Sequence, residues 1–315
     1  MKDLRIVFMG TPEFATTILA ALVEHSYNVV GIITAPDRPA GRGRSLQQSH
    51  VKKYALENGL KVLQPTNLKN EDFLSELKSL NGNLQIVVAF RMLPKAVWAM
   101  PEYGTFNLHA SLLPDYRGAA PINWAIINGE TETGVTTFFI DDKIDTGEII
   151  LQDRTDIGEN MSAGELHDKL MVMGANLVVS TVKAIAKGPV KTIAQPTSKK
   201  LKEAYKIHKD TCEIDWTKSI DKVFNHIRGL SPYPGAWTTL MNGEEKIFVK
   251  IYDTAKENTD HKLNVGEIET SKKELKVGVD GGYINVLEMQ LPGKRKMKIQ
   301  DVLNGLNLQK NAKMS

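Results

Sequence analysis

Between Leu4 and about Leu151, short β-rich runs alternate with helical stretches at a nearly even spacing. LRIVFMG is followed by FATTILAALVEHS, YNVVGIITA by HVKKYALENG, KVLQ by EDFLSELKSL, LQIVVAF by PKAVWAM, and TFNLHAS by APINWAIING. Strands that run the same way with a helix between each pair build a parallel sheet covered on both faces. The alternation therefore predicts an α/β architecture: a doubly wound, mainly parallel, Rossmann-like sheet. Continuous apolar runs such as QIVVAF fit strands buried on both sides. TGVTTFFID and GEIILQD, separated by DKIDTG, read as a hairpin at the sheet's edge. SAGELHDKLMVMGANLVVSTVKAIAKG then predicts one long helix, with Ser162 as N-cap, Glu165 completing a capping box and Gly188 as the stop.

The next stretch, PVKTIAQPTSKKLKEAYKIHKD, is polar, carries two prolines and lacks periodicity, so it reads as a linker over the surface. Beyond it one helical piece, SIDKVFNHIRGL, precedes the β-like runs AWTTLM, EKIFVKIYD, NVGEIE, ELKVGVD and YINVLEMQL. Their glycine and asparagine turns predict a small antiparallel, OB-like β-barrel. A chain of 315 residues suits two domains of the usual size, about 100 to 200 residues each. The expected boundaries are 1–189 for the wound domain, 190–208 for the linker and 209–315 for the barrel.

The charge is uneven. Residues 191–315 hold 22 Lys and Arg against 16 Asp and Glu, whereas the first 190 hold 18 against 21, giving +3 overall. A basic C-terminal part attracts a polyanion at long range. No run approaches the roughly 20 apolar residues of a membrane span, and the N-terminus enters a strand without a signal-peptide pattern. A cytoplasmic protein without membrane attachment, and by default a monomer, is the expectation. The lone Cys212 excludes an internal disulfide framework and a cysteine metal cluster, and it reads as a half-buried small residue. FMGTPEF has one glycine where GxGxxG needs three, and GRGRS lacks the P-loop spacing. HxxxH, HExxH and CxxC patterns are missing as well, so neither a dinucleotide nor a metal is expected.

Chemistry concentrates in FNLHASLLPDYRGAAP, from Phe106 to Pro121. Successive strand residues point to opposite faces, so Asn107 and His109 project together at the end of one strand. Ligands of wound sheets bind at such carboxyl ends, where the winding reverses. Asp145, in the DDKIDTGEI turn between two strands expected to neighbour this one, can orient an imidazole and hold its protonated form. If a neutral amine attacks an acyl carbon, the Asn amide supplies a donor for the oxyanion and His or Asp takes the amine's proton. Each residue also has a plainer reading: a satisfied histidine, a turn-capping Asn, a turn Asp. Ser111 could likewise be a turn hydroxyl, and Arg117 a solvated cation.

The combination NLHASLLPDYRGAAPINWAI with IDTGEI resembles the signature of the formyltransferases that use 10-formyltetrahydrofolate. FMGTPEFA, APDRPAGRGR at 35–44, LPKAV at 93–97, and the C-terminal IDW and LSPYPGAW extend the resemblance over nearly the whole chain. It implies transfer of a formyl group from 10-formyltetrahydrofolate to the α-amino group of methionine on initiator tRNA, with Asn107, His109 and Asp145 as the catalytic set. It places folate contacts at Ser111, Leu112, Leu113 and Pro114 and along the backbone of Phe90, Arg91, Met92 and Leu93. There the sequence reads AFRMLP, where many relatives carry a slightly longer, glycine-containing loop.

For the tRNA, the resemblance implies that the glycine-rich loop PDRPAGRGRSLQQSH grips the acceptor end through Arg38, Arg42 and Arg44. The second basic surface is the barrel, with Lys294, Arg295 and Lys296 in KRKMK, together with linker residues Lys199, Lys200, Lys202 and Lys206. Two alternatives remain: a formyltransferase acting on a nucleotide-sugar amine, and an RNA-binding module whose strand-end residues are merely structural.

Overall fold

The computed structural model describes residues 2–40, 45–196 and 201–315. Arg42, Arg44, Lys199 and Lys200 lie outside the described residues. The first part runs β1 (Arg5–Gly10), α1 (Glu13–Glu24), β2 (Asn28–Ile33), β3 (Arg38–Ala40), β4 (Ser45–Gln47), α2 (His50–Glu57), β5 (Val62–Leu63), α3 (Glu71–Ser79), β6 (Leu84–Val88), α4 (Lys95–Trp98) and β7 (Thr105–His109). It continues through β8 (Arg117–Gly118), α5 (Pro121–Ile127), β9 (Glu132–Phe139), β10 (Ile149–Asp156) and α6 (Ala163–Lys187). The additions to the expected alternation are the antiparallel β3–β4 pair, within a stretch read as loop, and the two-residue β8.

The sheet order is β10-β9-β7-β6-β1-β2-β5. From β1 the chain winds outward through β2 to β5, then returns to the other side of β1 with β6 and β7. The winding therefore reverses between β1 and β6, where wound sheets bind ligands. β1 is parallel to β2 and β6, and β6 is parallel to β7. β9 runs antiparallel to β7, with Thr136 opposite His109, and β10 forms the edge. All five residues of β6, and Ile6 to Met9 of β1, are buried, as two covered faces require.

The capping box of α6 forms as read: the Ser162 backbone N–H donates to Glu165 Oε2 at 2.8 Å and the Glu165 N–H donates to Ser162 Oγ at 3.3 Å. Farther along, Gly174 lets the helix approach β7 closely, since a Cβ there would meet Leu108 Cδ2 at 2.7 Å. One correction concerns this helix. Among the described residues α6 alone is long and apolar enough to cross a membrane, and half of its apolar window is buried inside the protein. Small and hydroxyl residues broke up the apolar run in the sequence. They allow close packing here, as between the Thr137 and Thr181 hydroxyls, 2.8 Å apart.

The second part contains β11 (Glu203–Ala204), α7 (Ile220–Gly229), β12 (Ala236–Asn242), β13 (Glu245–Glu257), β14 (Ile268–Thr270), β15 (Leu275–Val279), β16 (Gly282–Gln290), β17 (Met297–Lys298), α8 (Ile299–Leu303) and β18 (Lys313–Met314). β14-β15-β16-β13-β12-β18 form one sheet, with β17 on β16. A bridge between Glu267 and Lys313, and the Met314 N–H donating to Gly266 O at 2.8 Å, bring β18 back beside β14. The result is a nearly closed antiparallel barrel around Phe224, Ile227, Leu240, Val249, Ile251, Val277, Val286 and Met289. Cys212 is fully buried in this core. Gly266 sits at the seam with φ +81°, and a Cβ there would collide with the Met314 carbonyl. Gly266→Ala is expected to destabilise the chain by about 1–3 kcal/mol, read as a lower Tm in thermal unfolding. An unchanged Tm would contradict this account of the seam.

Contacts divide the chain into two compact units. One comprises Met1–Gly118, Thr133–Thr155 and His167–Glu203; the other comprises Ala119–Glu132, Asp156–Leu166 and Ala204–Ser315.

Candidate active site

The carboxyl ends of β6 and β7 lie next to the winding break and carry the candidate residues. Period-2 alternation buries Phe106 and Leu108 and turns Asn107 and His109 to the other face. The Asn107 side chain is half-buried and has no hydrogen-bond partner among the described residues. A polar group in that state is available to a ligand.

His109 is buried, and its Nε2 lies 2.8 Å from the Tyr116 carbonyl oxygen. A carbonyl only accepts, so Nε2 carries a proton and, in the neutral ring, Nδ1 holds the free lone pair. That Nδ1 faces Asp145 Oδ2 across 3.9 Å, both side chains being mostly shielded from solvent. The separation exceeds a hydrogen bond but places a carboxylate directly against the basic nitrogen. Asp145 Oδ2 also accepts the Gly118 N–H at 2.9 Å. The loop from Tyr116 to Gly118 thus holds both groups, one through its carbonyl and one through its amide. Tyr116 and Asp145 both adopt left-handed backbone, at φ +62° and +54°, which non-glycine residues adopt only where surroundings enforce it.

The turn after β7 is built inward. Ser111 is fully buried and its hydroxyl donates to Asp115 O at 2.7 Å, so its side chain acts as the turn hydroxyl. Leu113 is buried against Phe138 and Ile149, Leu112 and Pro114 are half-buried, and the Leu113–Pro114 peptide is cis. Thr136, opposite His109, fixes this turn by donating to Ser111 O at 2.7 Å while accepting from Leu113 N at 3.2 Å and Gln152 Nε2 at 2.9 Å. On the β6 side, Leu93 is buried, Phe90 half-buried and Met92 exposed. Arg91 donates to Thr66 O at 2.9 Å and to Pro65 O; burial, and secondly the charge of Arg38, depress its pKa. Among the described residues no backbone–backbone hydrogen bond engages Phe90 to Leu93. Their N–H and C=O groups are therefore available to the edge of a flat, amide-like ligand.

Sequence reading missed three participants: the Tyr116 carbonyl, Thr136 and Gln195. Only Thr136 left a signal, as a hydroxyl residue inside an apolar strand. Arg117, left open as a solvated cation, instead donates through Nε and Nη2 to Gln195 Oε1 at 3.1 and 2.6 Å. Gln195 is itself buried, within the stretch read as a surface linker. No group of three or more His, Cys, Asp or Glu that could hold a metal occurs among the described residues.

Of the basic residues read as tRNA contacts, Arg38 is exposed on β3. The hairpin leaves the domain at Asp37, which accepts from Lys52 Nζ at 2.6 Å and Gln64 Nε2 at 2.8 Å. These bonds, Lys52's first, hold its carboxyl below its ordinary pKa. A lowered native pKa contributes stability above the unfolded value of about 3.9 that fades as pH falls through the native one. An NMR titration of Asp37 is expected to give a midpoint below that value, rising in Lys52→Met; a midpoint indifferent to Lys52 would contradict the assignment. On the barrel, Lys294 and Arg295 are exposed, while Lys296 pairs with Glu288 at 2.7 Å and lies over the Tyr252 ring.

Over residues 4–182 the chain matches the family model described as formyl transferase, and over residues 206–307 that described as formyl transferase, C-terminal domain. A methionyl-tRNA formyltransferase of Flavobacterium psychrophilum is 60% identical over 307 residues, covering 97% of each chain. One of Bacteroides fragilis is 54% identical over 318 residues, covering 99% of this chain and 98% of the other. Among solved structures, an N-formyltransferase from Helicobacter canadensis with folinic acid and dTDP-3-aminofucose is 20% identical at a TM-score of 0.64, covering 90% of this chain and 98% of that one. HypX from Aquifex aeolicus with tetrahydrofolic acid is 17% identical at 0.65, covering 96% and 47%. At these identities the solved structures establish the fold. With a family model spanning more than half of it and relatives that share most of its residues end to end, this chain belongs to the formyl transferase family.

Proposed function

We propose that this protein transfers the formyl group of 10-formyltetrahydrofolate to the α-amino group of methionine on initiator tRNA, serving the initiation of translation in the cytoplasm as a monomer. The observation that carries the reading is an unpartnered Asn107 amide beside a His109–Asp145 pair at the carboxyl end of β7, one strand from the winding break. Relatives more than half identical over nearly their whole length are named methionyl-tRNA formyltransferases, which selects the acceptor.

The residues present fit a folate. Leu112 and Pro114 offer half-buried apolar surface, Phe90 a half-buried ring, and the backbone of Phe90 to Leu93 free donors and acceptors. The bound cosubstrate supplies an electrophilic formyl carbon whose oxygen gains negative charge under attack. Asn107 donates to that oxygen, so it is paired when charge develops there. The α-amino group of an aminoacyl ester titrates below the free value of about 7.7–8.0, so the nucleophile is substantially neutral without help. What the chain must do is receive a proton. His109 Nδ1, whose lone pair is left free by the Tyr116 carbonyl, takes it, Asp145 holds the resulting imidazolium, and the imidazolium gives that proton to the tetrahydrofolate nitrogen as its bond to the formyl carbon breaks. Arg38, Arg42 and Arg44 meet the acceptor end of the tRNA, and Lys294, Arg295 and Lys296 its backbone on the barrel.

The test offers 10-formyltetrahydrofolate with methionyl initiator tRNA, with free methionine and with an amino sugar, and follows tetrahydrofolate release. Turnover on the tRNA alone is expected. Turnover on the sugar alone would replace this reading with a sugar formyltransferase, and turnover on none would favour a binding module.

A further inference from the structure

Asp145 is held by more than the Gly118 amide. Its turn ends at Gly147, and both the Asp145 and Gly147 carbonyls accept from the side-chain Nε2 of Gln195, at 3.0 and 2.7 Å. Gln195 Oε1 in turn accepts both Nε and Nη2 of Arg117. The two amide hydrogens and the acceptor oxygen of Gln195 are thus fully engaged, in a buried setting where no other residue type of that size offers two donors and an acceptor. The segment carrying Gln195 is stitched to the site at both ends. Ile193 exchanges two backbone hydrogen bonds of 2.9 Å with Ile149 on β10. Past the undescribed residues, Lys202 accepts from Tyr116 N at 2.6 Å, and its own N–H donates to Asp115 Oδ1 at 3.0 Å. Tyr116, whose carbonyl fixes the His109 ring, and Asp145, which faces that ring, are both anchored to one stretch of chain beyond α6.

We propose that Gln195 is a positioning residue for formyl transfer: it sets where the left-handed Asp145 turn presents its carboxylate to His109, and so makes the stretch after α6 part of the catalytic centre. This rests on the functional reading above. Gln195 touches no reacting atom. It acts by holding two carbonyls and one guanidinium in register, and a displacement of an ångström at Asp145 is enough to cost about two orders of magnitude in rate.

Gln195→Glu keeps the size and the acceptor for Arg117 but removes both donors and sets a carboxylate against two carbonyls. Gln195→Met keeps the shape and removes every hydrogen bond. Both full-length variants are compared with the parent by steady-state kinetics across pH and by hydrogen–deuterium exchange of the peptide spanning residues 141–148. The expected result is kcat lower by about 10- to 100-fold, KM for folate and tRNA within about twofold of the parent, an altered pH profile of kcat and faster exchange in that peptide. Unchanged exchange overturns the proposal whatever the kinetics, and so does faster exchange with kcat within about twofold of the parent. If the parent itself fails to formylate methionyl-tRNA, the functional reading falls, while the exchange measurement still decides whether Gln195 holds the Asp145 turn.

Discussion

Asn107→Ala is expected to lower kcat by about 10² to 10³, or roughly 2.7–4 kcal/mol of transition-state stabilisation, with folate KM and Tm unchanged. The separation follows from the structure. The Asn107 amide bonds to nothing else among the described residues, so its loss leaves no buried group orphaned and removes no bond of the fold. Its backbone pairs with Val87 and Phe138, and alanine keeps that pairing. Asn107→Asp is the sharper control, since it puts negative charge where a donor is required and should be at least as damaging. Turnover within about threefold of the parent in Asn107→Ala would remove the oxyanion assignment.

Gly147→Ala should be damaging for a different reason. A Cβ at this position would fall within the Phe139 carbonyl at the end of β9, and neither partner is a flexible side-chain tip. Backbone must move. The nearest backbone able to move is the Asp145 turn, because the Phe139 N–H is tied to Glu148 O at 3.0 Å. The expected outcome combines a destabilisation of about 1–3 kcal/mol with a loss of kcat of about 100-fold or more from the displaced carboxylate. Thermal unfolding and steady-state kinetics on one preparation check both parts. A stable variant with normal kcat would show that the turn tolerates displacement and that Asp145 needs no fixed position.

How much of this was legible beforehand depends on what kind of signal each feature leaves. The wound sheet was, because burial on both faces forces continuous apolar runs such as QIVVAF, and the helices between them keep their own period. Asn107 and His109 were, because strand alternation alone puts them on one face. The barrel strands were, through their turn residues. What escaped were interactions between positions far apart in the chain. Gln195 stands 50 residues from Asp145 in a polar, proline-bearing stretch, and no local pattern marks it as buried. Arg117 could not be told from a solvated cation until its acceptor was known. The Tyr116 contribution is a backbone carbonyl, which any residue could have supplied. The apolar character of α6 was hidden by Gly174 and Thr181, a small and a hydroxyl residue that interrupt a hydropathy run while still being buried inside the protein.

β7 has a parallel neighbour on one side and an antiparallel one on the other. On the proposed reading, the backbone of Phe90 to Leu93 that faces the one-carbon carrier is delivered by β6, and the carboxylate that steadies the His109 imidazolium is delivered from the β9–β10 side. The two halves of the chemistry therefore reside on stretches that can drift independently, joined only at the strand bearing Asn107 and His109. On that reading, a change of length in the AFRMLP stretch can be absorbed on the carrier's side without moving the carboxylate on the other.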